Sequence, residues 1–262
     1  VAGAVNGYNE KHGDINGADV VHYLALDPDN PASIYSAIRA TRENARALRG
    51  SITTEMFESI NSTWLELKAM DDDVIKPAGR RAFFDWVKDR AHLFRGVAEG
   101  TMLQDEAMCF MKIGLDIERA DCTARLLDSK YHVLLPASEE VGGSLDYYQW
   151  GTLLRSLSAF RAYHKIYRDS ISASRVAELV ILNAQMPRSL RCCYDRLTET
   201  LEDLCGTSAP ECQRIAGKIH SGLRYRQIGE VFDSGLHEFL TEFIDGNAQV
   251  GQQLARDFMM VR

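Results

Sequence analysis

Residues 114–128 read GLDIERADCTARLLD, a stretch in which Asp116, Glu118, Arg119, Asp121, Arg125 and Asp128 are interleaved with apolar residues. Carboxylates and guanidiniums at this density could bind a carboxylate or phosphate, or pass a proton. At about 100° per residue, Ile113, Ile117, Ala120, Ala124, Leu127 and Tyr131 share one helix face. Leu115, Cys122 and Leu126 form a second apolar strip nearly opposite. A helix with two apolar sides is expected to be sandwiched between neighbours, with at least one of its charged wedges partly enclosed. Asp121 and Arg125 are spaced to pair within the helix, and so are Asp116 and Arg119. Glu118 has no basic residue three or four positions away. If buried, it needs a cation from another helix, a metal or a ligand, because an unpaired buried charge costs several kcal/mol.

An earlier helix offers such cations. Ile34, Ile38, Thr41, Ala45 and Leu48 repeat the spacing of Ile113, Ile117, Ala120, Ala124 and Leu127 at a constant offset of 79 residues. In that frame Arg39, Arg42 and Arg49 fall where Glu118, Asp121 and Asp128 fall, while Arg46 matches Arg125. The pattern is either a weak internal repeat or two helices meeting the same packing demand. The complementary charges suggest a polar seam, read either as solvated faces and structural salt bridges or as an arginine-lined site for a carboxylate or phosphate.

Other chemistries find less support. None of the seven histidines follows a glutamate by three residues, so a ferritin-like dimetal site is not expected. Asp19-His22, in an expected loop, and Asp89-His92, in a helix, have only the weaker Asp-x-x-His spacing. No nucleotide-binding glycine loop is present. Arg188 and Ser189 follow Pro187 at a helix start, which is either an ordinary helix opening or an anion site. No metal or cofactor is expected.

These groups need a scaffold, and the chain supplies helices. The 262 residues show the helical period almost throughout. The first 25 or so residues read as a loop. Helices are expected from Asn30-Pro31 to Arg49, Ser51 to Met70 and Pro77 to Glu99. A long one opens at a Thr101/Gln104 capping box, before a break at Pro136 and Gly142-Gly143. Further helices run over Ser144–Asp169, Ser172–Asn183 and Pro187–Leu204, then from a Ser208/Glu211 box to Leu223, and from Arg226 toward Met260. This describes an all-α, single-domain bundle of about eight helices.

The net charge of -7 argues against a nucleic-acid partner. No apolar run reaches the ~18 residues of a membrane span. Six cysteines without C-x-x-C spacing read as reduced thiols of a cytoplasmic protein, with adjacent Cys192-Cys193 the one candidate redox pair.

Several segments resemble one family. GLDIERADCTARLLD resembles the Glu-Arg signature of the bacterial alpha-E domain. LALDPDNPASIYSAIRATRENARALRGSITTEMF is similar to its Asn-Pro-x-Ser and Ala-Arg-Glu-Asn-Ala-Arg segment, with Thr41 in place of the first Ala. VILNAQMPRSLRCCYDRL resembles its Pro-Arg-Ser segment, and LHEFLTEF its C-terminal helix; the order is that of the family, over nearly the whole chain. The family's earlier Glu-Arg helix would lie ahead of Val1, so the domain, residues 1–262, is expected to lack it, and a site built from both motifs would be incomplete. Carried onto this chain, the motif residues are Glu118 and Arg119, supported by Asp121 and Arg125. Asn30, Ser33, Arg42, Glu43, Asn44 and Arg46 come from the second segment, and Arg188 and Ser189 from the third. Because Arg119 lies about 100° from Glu118, the two are expected to serve different surfaces.

The resemblance implies partners: a circularly permuted ATP-grasp ligase and a transglutaminase-like peptidase. The function expected is therefore an accessory component of peptide or amide ligation, binding the ligase or a carboxylate-bearing substrate. Alternatives are an amide-forming or transfer enzyme using Glu118 as acid or base, and a structural oligomerisation bundle.

Overall fold

The computed structural model describes residues 4–133 and 144–259. The break at Pro136 and Gly142-Gly143 and the side chain of Tyr131 lie outside the described residues. Among these residues there are thirteen α-helices and no strand, so the all-α class holds and the count of about eight does not. Contacts cluster in two compact units, Val1–Gln104 and Asp105–Arg262.

In the first unit run α1 (Ala4–His12), α2 (Gly17–Ala25), α3 (Ile34–Ala47), α4 (Thr54–Ala69), a 3-10 turn (Asp72–Ile75) and α5 (Arg80–Thr101). The expected N-terminal loop is thus two short helices. Asn16 caps the second by accepting from the N–H groups of Ala18 at 2.8 Å and Asp19 at 3.2 Å. Asp19 and His22 consequently sit on a helix. Ser33, not Asn30, caps α3, its hydroxyl accepting from Ser36 N at 3.1 Å. Asn30 instead ties the preceding turn together, donating to Tyr23 O at 2.8 Å and accepting from Ala32 N at 3.0 Å. The core of this unit gathers Ala25, Trp64, Leu67, Ile75 and Phe83, with Tyr35 tilted on Trp64 at 5.2 Å.

Buried Asp27 accepts from Asp29 N at 2.9 Å and Lys11 Nζ at 3.1 Å. Burial works against its charge, yet these donors win and hold its pKa below the ordinary 3.8. Its stabilisation is therefore complete above the unfolded pKa and lost as pH falls through the lower folded value. Asp27→Asn is expected to cost about 1–2 kcal/mol at neutral pH and to flatten the acid limb of the stability curve, measured by urea melts from pH 7 to pH 2.

The second unit contains α6 (Glu106–Val133), α7 (Ser144–Ser156), α8 (Phe160–Tyr167), α9 (Ala173–Ile181), α10 (Leu190–Cys205), α11 (Glu211–Tyr225), α12 (Ile228–Asp233) and α13 (Leu236–Met259). Two of the expected helices are subdivided. Ser158 at φ 57° separates α7 from α8, and Arg168 at φ 52° ends α8. Gly235 at φ 89° divides the last helix in two, a conformation glycine adopts without a Cβ penalty. Thr101 closes α5 rather than opening α6. The Asp105 carboxylate accepts from Met108 N at 3.2 Å at that start.

Helices α6, α10, α11 and α13 form a closed four-helix ring, each packed on the next. The predicted face of α6 points into it: Ile113, Ala120, Ala124 and Leu127 are fully buried, beside Tyr194, Leu197, Ala216 and Leu240. The opposite strip is not a second buried face, since Leu115 and Cys122 are half-buried and Leu126 is exposed. Of the matched positions along α3 and its C-cap, Ala45 alone is buried, while Thr41 and Leu48 are exposed.

Candidate functional site

A carboxylate clasps each junction of the ring. Between α6 and α10, Asp116 is buried and takes Arg196 bidentately, from Nη2 at 2.5 Å and Nε at 3.0 Å. Arg119, expected to be its partner, approaches only to 3.9 Å. Between α10 and α11, Asp195 meets Arg191 Nε at 2.7 Å and His220 Nε2 at 2.6 Å. Between α6 and α13, Asp128 meets His237 Nδ1 at 2.6 Å. Between α11 and α13, Asp257 accepts from Cys212 N at 2.8 Å. That bond supplies the cap expected from a Ser208/Glu211 box, because α11 begins after Pro210 with no side-chain cap of its own.

A buried polar chain joins three of these helices. Tyr194 donates its hydroxyl to Asn247 Oδ1 at 3.0 Å, and Asn247 Nδ2 donates to Ile117 O at 3.0 Å. Sequence reasoning missed Asn247, although its place among Leu240, Phe243, Val250 and Leu254 puts a lone amide in the apolar stripe of α13. Arg196 had no such signal.

The Glu-Arg signature meets the Pro-Arg-Ser segment where α6 passes the start of α10. Thr123 donates to Arg188 O at 2.8 Å, and Arg196 Nη2 donates to Pro187 O at 3.0 Å, so the turn is held from two helices. Ser189 is buried; its hydroxyl accepts from Cys192 N at 3.0 Å and donates to Asn183 O at 2.5 Å, leaving it a cap. Burial opposes the Arg196 charge, but hydrogen bonding to Asp116 outweighs it and raises the guanidinium's pKa.

The signature pair divides between two surfaces. Arg119 is largely covered, with 19% of its side chain exposed, whereas Glu118 is exposed. Glu118 accepts from the Cys122 thiol at 3.1 Å, and Arg188 lies close enough for its charge to act on that thiol. Burial first, then Glu118, pushes the thiol up to about 12, despite Arg188. Cys193 is pushed up to about 12 by burial. A thiol in that range holds almost no thiolate at neutral pH, so neither is an activated nucleophile. The Cys192-Cys193 pair accordingly fits helix packing. Asp121 and Arg125 pair as their spacing predicts, at 2.7 Å.

The remaining candidates lie in the first unit. Arg42 Nε donates to Asn61 Oδ1 at 2.9 Å, and Arg39 Nη2 to Pro28 O at 3.3 Å. Buried Ser33 donates to Asp27 O at 2.7 Å. Glu43, Asn44 and Arg46 are exposed. The two halves of the expected seam thus fall in different units. Among the described residues, no group of three or more His, Cys, Asp or Glu side chains could hold a metal, and no helix is long and apolar enough to cross a membrane.

Uncharacterized proteins of Mycobacterium bovis and of two Mycobacterium tuberculosis strains are each 28% identical to the chain over 239 residues. The match takes in 85% of this chain but 26% of each relative, so the chain spans about a quarter of the length of these curated relatives. No solved structure matches it. Residues 1–259 match the Alpha-E family, described as a predicted alpha-helical domain with a conserved ER motif, and the chain belongs to that family.

Proposed function

We propose that this chain is a helical accessory module of an ATP-grasp-dependent peptide or amide ligation system. It docks on the ligase, or on the ligase's carboxylate-bearing substrate, through the face around Glu118 and Arg188. The observation that carries this reading is the division of the signature. Asp116, Thr123 and Ser189 are buried in the bundle's own bonds, while Glu118 is left on the surface, where it accepts from the Cys122 thiol. A carboxylate and a guanidinium whose charges both act on one thiol suit recognition of a partner that carries both signs. The neighbouring groups do not suit covalent catalysis, since the Cys122 thiol is pushed up to about 12 and Ser189 is sealed as a cap. The same region forms about a quarter of the curated relatives, which accords with a module that works beside other domains.

The test is ATP turnover by a purified circularly permuted ATP-grasp ligase, with and without this protein. Stimulation is expected, and Glu118→Gln and Arg188→Ala are each expected to reduce it at least tenfold. Glu118 is exposed and Arg188 half-buried, so thermal melts of both variants accompany the assay to show that each stays folded. A ligase that is active on its substrate but indifferent to the intact protein overturns the proposal.

A further inference from the structure

A cleft of about 490 Å³ opens between α11 and α13. Its size falls within the ~300–1,000 Å³ typical of small-ligand sites. The floor is apolar, built from Ile215, Ile219, Phe239 and Phe243. The rim is charged and sorted by sign. Lys218 and Arg226 stand on the α11 side, and Glu242 and Asp245 on the α13 side. Lys218, Glu242 and Asp245 are exposed and Arg226 is half-buried, no ion pair joins the two sides among the described residues, and Asp245 also acts on Arg125 of α6. Arg226 is steadied over the Phe239 ring, 5.2 Å from its centroid, which keeps its guanidinium at the rim.

From this arrangement we infer that the cleft binds a short apolar peptide with both termini free. The carboxylate meets Lys218 and Arg226, the ammonium meets Glu242 and Asp245, and the side chains cover the floor. An anion alone would meet repulsion from the α13 side, and a cation alone from the α11 side. A single amino acid would leave much of the 490 Å³ unfilled. Gly222, on the cleft wall, shows how access can be blocked without disturbing the bundle. A Cβ added there meets no atom within 4 Å. By contrast, one added at Gly246 comes within 3.1 Å of Ile219 Cδ1, so Gly246 serves the packing of α13 on α11. This site is independent of the Glu118 face, and each can fail without the other.

Isothermal titration of the whole protein tests it, using dipeptides of Leu, Val and Phe together with their N-acetylated and C-amidated forms. At least one free dipeptide is expected to bind, with capping of either terminus weakening it at least tenfold. Gly222→Phe, which fills the opening and also favours the helix, is expected to abolish binding while raising or preserving the melting temperature. Lys218→Glu is expected to weaken the free dipeptide by a similar factor. Absence of binding by every free dipeptide, equal binding of free and capped forms, or binding retained in a folded Gly222→Phe variant would each overturn the inference.

Discussion

Arg196→Met should destabilise the second unit by about 3–5 kcal/mol, one of the two largest effects expected from a single substitution in this chain. The reason lies with the partner left behind. Only 5% of the Asp116 side chain is exposed, and losing Arg196 strands its carboxylate with Arg119 at a long 3.9 Å. The reverse substitution, Asp116→Leu, should cost less, about 2 kcal/mol, because 34% of the Arg196 side chain is exposed and can recover water. Combining the two should restore much of the loss, since an apolar pair of similar volume carries no desolvation penalty. Urea denaturation of the four members of this cycle gives both the ordering and the coupling energy. A cost below about 1 kcal/mol for Arg196→Met would show that the clasp does not support the bundle.

Asn247→Leu should cost about 2–3 kcal/mol for a related reason. Tyr194 and Asn247 are both fully buried, and the tyrosine hydroxyl donates to the amide oxygen. Replacing the amide by an apolar group of similar size leaves that hydroxyl without its acceptor, in a core that has already pushed the phenol's pKa upward through burial. Tyr194→Phe alone should be milder, at about 1 kcal/mol, since Asn247 keeps its bond to Ile117 O. The double substitution should approach the natural protein. Thermal and urea melts that find the two single changes additive would remove the hydrogen bond as the source of the effect.

What could be read from the sequence was local and periodic. The inward face of α6 follows from residues spaced at three and four, and burial of Ile113, Ala120, Ala124 and Leu127 agrees with it. The Asp121–Arg125 pair and the separation of Glu118 from Arg119 follow from the same helical geometry. What could not be read required distant partners or local backbone choices. Asp116 finds its main partner 80 residues along the chain, and no pattern near Arg196 marks it. Asp257 caps α11 across 45 residues, whereas a capping box looks only three ahead. The bend at Ser158 places an ordinary residue in the left-handed region, so a continuous periodic stretch hides two helices. Glycine at 235 was visible, but within a helical pattern it signals tolerance as often as interruption.

The raised thiols make the second unit a clock for its own motion. All six cysteines are free, and none precedes Cys109, so the first unit contributes no thiol. Cys193 on α10 and Cys212 on α11 are buried and both pushed up to about 12, Cys193 by burial and Cys212 by burial and then by Asp257. While folded, each is shielded twice, by packing and by the scarcity of thiolate. An alkylating reagent can reach them at a useful rate only when a helix lets go. Time-resolved mass spectrometry of that labelling would therefore record the opening of α10 and α11 separately, with no introduced probe.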